Sequence, residues 1–64
     1  MGYKRARLAA GMSVREAAKR LLVSDAAIYM WEAGQMNPRA DRLPEIAAVY
    51  GVTVDELLAG KEEA

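Results

Sequence analysis

The sequence predicts an all-α fold, a compact bundle of five short helices with a tightly joined pair of helices at its centre. Three observations predict it. Apolar residues recur at helical spacing through the stretch Ser13–Gly34. Serine and threonine stand where helices start, and glycines stand where they stop. Between the second and third helices only three or so residues remain, too few for a long loop.

Tyr3 to Ala10 forms the first predicted helix. Tyr3, Ala6 or Arg7, and Ala10 lie along one side, and Leu8 is expected as the main core anchor. Gly11 stops the helix from the left-handed C′ position, and Met12 packs beneath the turn. Ser13 then caps a second helix, and Glu16 three residues on completes a capping box. Val14, Ala17, Ala18 and Leu21 follow the spacing of one helix face. Leu22 and Val23 break that run. Ser24 is the next N-cap, and Asp25 follows where the first-turn dipole favours an anion. Ile28 and Trp31 set the inward stripe of the third helix, which runs to Ala33 and stops at Gly34. Helices joined this closely cross steeply, which leaves the third prominent on the surface. Its exposed face is Asp25, Ala26, Ala27, Tyr29 and Met30, with Ser24 at the head.

Gln35 to Asp41 is a loop stiffened by Pro38. The fourth helix starts near Leu43 with Pro44 at N1, in the first turn where proline is tolerated, after a loose turn. Leu43, Ile46, Ala47 and Tyr50 face the core, and Gly51 ends the helix. Thr53 and Glu56 form a second capping box that opens a last helix, Val54 to Ala59. Val52, Leu57 and Leu58 complete the core. Gly60 and the tail at residues 61–64 fray.

A chain of 64 residues allows one domain, residues 1–64, with a core of modest size. It has no cysteine and no histidine, which removes disulfides, thiolate metal sites and the commonest general base. No clustered carboxylate pair replaces them, so an enzyme is not expected, nor a metal or a cofactor. No apolar run approaches the roughly 18 residues of a membrane span. The basic N-terminus has too short an apolar part for a signal peptide. A soluble, cytoplasmic protein is expected. Net charge is zero, but its distribution is uneven. Residues 1–42 carry eight basic side chains against four acidic ones, and residues 43–64 carry Lys61 against five acids. That asymmetry suits a domain with one face toward phosphate.

The spacing inside Ser13–Gly34 is specific. Ala18 is small where helices cross closely. Leu21, Val23, Ile28 and Trp31 are apolar where such a pair packs inward, and Glu32-Ala33-Gly34 is followed by Asn37-Pro38. With Arg7, Gly11 and Ser13 upstream, the stretch resembles the helix-turn-helix of the phage repressor and Cro family, often called the XRE family. The segment LPEIAAVYGVTVDELLAG, Leu43–Gly60, resembles the last two helices of lambdoid phage repressor DNA-binding domains. The resemblance covers roughly Tyr3 to Gly60.

The resemblance implies a sequence-specific DNA-binding transcriptional regulator with its third helix in the major groove. Base contacts fall to Ser24, Asp25, Ala26, Ala27, Tyr29 and Met30. Alanines suit thymine methyl groups, Asp25 suits cytosine N4, and Tyr29 reaches a phosphate or a base. Phosphate contacts fall to Val14, Arg15, Asn37 and Arg39, with Arg39 foremost; Arg5, Lys19, Arg20 and Arg42 are further candidates. Arg7 and Glu32 are implied to form a partly buried ion pair. The partners implied are a pseudo-palindromic double-stranded operator and a second copy of the chain, in solution or only on DNA. The dimer contact falls near Tyr50, Val52 and Leu58, which the core also claims. The setting implied is the nucleoid of a bacterial or phage-infected cell.

Two departures stand out. Val14 replaces a family glutamine, and Leu22 replaces the glycine usual at the turn. Either Leu22 takes a left-handed strain, or the turn is built differently and Leu22 joins the core. An exposed Tyr-Met-Ala face also suits a protein partner, as in an antitoxin-like or anti-repressor module.

Overall fold

The computed structural model describes residues 2–59; the expected fraying of Gly60 and residues 61–64 lies outside them. Five α-helices follow in order: α1 (Tyr3–Ala9), α2 (Val14–Leu21), α3 (Asp25–Ala33), α4 (Leu43–Tyr50) and α5 (Val54–Leu58). A 3₁₀ turn, Ala40–Arg42, leads into α4. Pro44 is therefore the second residue of its helix rather than the first. α1 packs on α3, α4 and α5, while α2 packs on α3 and α4.

The core is built from Ala6, Met12, Ala17, Ala18, Leu21, Ile28, Trp31, Ile46, Ala47, Tyr50 and Leu57. Alanines dominate the crossings because α2 must approach its neighbours closely. Tyr3 joins α1 to α3 through its ring, 6.4 Å from that of Trp31 and tilted by 47°. The Gly2 N–H donates to the Leu57 carbonyl, which ties the start of the chain to α5.

Several expectations are corrected. Leu8 is not the anchor of α1; it is 57% exposed. Tyr3, Ala6 and Arg7 share the inward face, and Leu8 lies a hundred degrees round from Arg7. Ala10 is also exposed. Leu58 is exposed for the same reason, because Val54 and Leu57 form the inward pair of α5. The capping box at Ser13 is half made. The Ser13 hydroxyl accepts from the Glu16 N–H at 3.1 Å, but the Glu16 carboxylate turns to Arg20 at 2.9 Å. The box at Thr53 and Glu56 is complete.

Leu22 takes the strain. Its φ is 59°, in the left-handed region, and its side chain is almost fully exposed. The Val23 N–H closes back onto the Ala18 carbonyl at 3.0 Å, the closure that ends a helix through a left-handed residue. α1, α3 and α4 close the same way, each through a glycine.

Candidate nucleic-acid interface

α3 is nine residues long, and its orientation is set from below. Ile28 is fully buried and Trp31 nearly so. The Ser24 hydroxyl accepts from the Ala27 N–H at 3.1 Å and starts the helix. The opposite face then presents Ala26 and Tyr29 to solvent, with Asp25 and Met30 half-exposed. Ser24 is exposed at the head. Ala27 is corrected: it lies four residues before Trp31, on the same stripe, and packs partly against the core.

Beneath α3 lies the Arg7–Glu32 pair. The Arg7 guanidinium donates to both Glu32 carboxylate oxygens, from Nε at 2.7 Å and from Nη2 at 3.2 Å. Its Nη1 donates to the Met12 carbonyl at 2.9 Å. Both side chains are 8% exposed. The pair fastens the end of α1 to the end of α3, and through Met12 it holds the approach to α2. Tyr50 lies in the field of both charges. Its hydroxyl is buried without a hydrogen-bond partner among the described residues. Burial, reinforced by the Glu32 charge and opposed by Arg7, pushes its pKa up to about 12. Tyr50 is a core residue, and Val52 packs against the core.

The basic residues sort into two kinds. Arg42 is committed inside the protein. It donates to the Leu21 carbonyl, satisfying an orphan acceptor at the end of α2, and to Glu45. This cap was invisible in the sequence, since the partners stand 21 residues apart. Arg20 is held by Glu16 one turn away on α2. Arg15 and Arg39 are instead well exposed, with only long contacts to Asp25 at 3.8 Å and to Asp41 at 3.7 Å. The Val14 side chain packs toward the core, so what it offers outward is the peptide N–H at the start of α2. Asn37 is exposed in the loop beyond α3.

At the other end of α3 an open apolar groove of about 490 Å³ runs between Tyr3, Trp31, Pro38, Leu43 and Leu58. Among the described residues, no three His, Cys, Asp or Glu side chains converge as metal ligands. No helix among them is long and apolar enough to cross a membrane.

A profile of the helix-turn-helix family matches residues 4–57, most of the chain. The chain is similar to the HTH-type transcriptional activator BcrR of Enterococcus faecalis, with 39% identity over 51 residues. The matched region is 80% of this chain and 25% of that relative, so the chain spans about a quarter of the relative's length. No solved structure matches it.

Proposed function

Because this chain belongs to the helix-turn-helix family, of the XRE type, we propose that it is a sequence-specific DNA-binding module of a transcription regulator, of repressor or Cro type. The observation that carries this reading is the orientation of α3. Ile28 and Trp31 are held inside, and Ala26, Tyr29 and the head of the helix are turned outward. An α-helix presented in this way fits the width of the major groove. Ser24, Asp25, Ala26, Tyr29 and Met30 are the proposed base-reading residues, with Ala27 contributing only its edge. Arg15, Asn37, Arg39 and the Val14 peptide N–H are the proposed phosphate contacts.

The proposed operator is pseudo-palindromic and bound by two copies of the chain, with half-sites about 34 Å apart. Leu58 is available for the contact between copies, whereas Tyr50 is enclosed. The proposed setting is the bacterial cytoplasm, at the nucleoid.

Selection from random double-stranded DNA, followed by gel shifts across salt concentrations, tests the reading. The expected result is an enriched palindrome bound with steep salt dependence. Binding no tighter than to random DNA would overturn it. The 60% exposure of Tyr29 favours one second reading, a protein partner seated on Tyr29 and Met30. A stable heteromer that protects Tyr29, in a protein that selects no sequence, is its signature.

A further inference from the structure

We propose that Asp25 selects one cytosine in each half-site and that Arg15 is its exchangeable counter-ion, released to a phosphate on docking. The proposal rests on the reading that α3 enters the major groove. Asp25 is the first residue of α3 and Arg15 the second of α2, and the packing of α2 on α3 brings these two residues together. Arg15 Nε lies 3.8 Å from Asp25 Oδ2, with side-chain exposures of 86% and 46%. That separation is too long for a hydrogen bond. Ser24, not Asp25, caps α3. Among the described residues the Asp25 carboxylate accepts no hydrogen bond, so its acceptor capacity is not consumed by the fold.

A carboxylate at the leading end of a helix that meets DNA is repelled by phosphate unless a cation accompanies it. Arg15 is that cation. An exposed pair of this kind is weak and breaks readily. Arg15 then gains a phosphate and releases a condensed counterion, which compensates for leaving Asp25. The freed carboxylate needs a donor. In the major groove guanine shows only acceptors, and thymine shows an acceptor and a methyl group. Adenine shows a donor beside an acceptor that repels the carboxylate. Cytosine N4 is the donor without an adjacent acceptor on its own base. Ala26, beside Asp25, is small and exposed and leaves room for that approach.

The test is parallel selection from random DNA with the wild type, Asp25→Asn, Asp25→Ala and Arg15→Ala. The Ser24 cap is untouched in all four, and circular dichroism checks that each is folded. The wild-type half-site is expected to contain one cytosine whose replacement weakens binding roughly tenfold or more. Asp25→Asn is expected to move that single position to adenine, because asparagine pairs with N6 and N7. Asp25→Ala is expected to leave it degenerate and to raise binding to random DNA. Arg15→Ala is expected to weaken all sequences alike and to lower the salt slope by about one. The same consensus from the wild type and Asp25→Asn would overturn the proposal while leaving DNA recognition intact. A wild type that selects nothing would overturn both.

Discussion

Leu22 holds a left-handed backbone that glycine holds at the ends of α1, α3 and α4. A side chain in that conformation costs about 1–2 kcal/mol, and at 87% exposure the leucine recovers nothing by packing. Leu22→Gly relieves the strain but frees the unfolded chain, which takes back about 0.5–1 kcal/mol. A net gain of up to about 1 kcal/mol is expected, read as a thermal midpoint higher by a few degrees. A lower midpoint would show that the turn is not strained. Tyr50 offers a second test at this scale. Its hydroxyl is buried and has no hydrogen-bond partner among the described residues, so Tyr50→Phe is expected to be neutral or stabilising. The folded pKa, about 12, is raised above the ordinary value of 10.0. Ionisation therefore takes nothing from stability below pH 10, and stability falls as pH rises from there toward 12. Alkaline melts of Tyr50→Phe should decline less steeply over that window than those of the wild type. Equal slopes would refute the assignment.

At the scale of elements, the Arg7–Glu32 pair decides how α1 meets α3. Removing one partner strands a buried charge, and Glu32→Ala is expected to lose about 3–5 kcal/mol in denaturant melts. The double change Arg7→Met with Glu32→Leu should recover much of the loss, because no charge is left without a partner. If the single and double variants are equally damaged, the pair is not the source. The head of α3 depends on Ser24, and Ser24→Ala is expected to lose about 1 kcal/mol. This pair was legible beforehand through the family likeness, as was the course of α3 through Ile28 and Trp31. The outward turn of Leu8 was not. Hydrophobicity marked it as an anchor, but the rotation of α1 is set by Arg7 reaching Glu32 and by Tyr3 meeting Trp31.

Across the whole molecule, charge is divided along the chain. α4 and α5 carry Glu45, Asp55 and Glu56 and no basic residue, while the elements before them carry the basic ones. Under the proposed function, Arg39→Ala should weaken binding to every sequence to a similar degree and reduce the salt slope by about one. Tyr29→Ala should alter which sequences are preferred. Competition gel shifts against random DNA separate the two effects. If Arg39→Ala changes preference and leaves the salt slope alone, its assignment to phosphate fails.

The sequence by itself determined the order of five helices, their caps at Ser13, Ser24 and Thr53, their glycine stops, and the inward stripe of α3. These are local properties, written in the spacing of apolar residues and in side chains that reach only three or four positions along the chain. The tertiary structure alone decided the rotation of α1, the burial of the Tyr50 hydroxyl, the choice of Leu22 to sit strained in solvent, and the withdrawal of Arg42 to cap α2. It also brought Arg15 to Asp25. Each of these depends on groups distant in sequence that meet only when the helices cross, and no pattern along one helix records where another will lie.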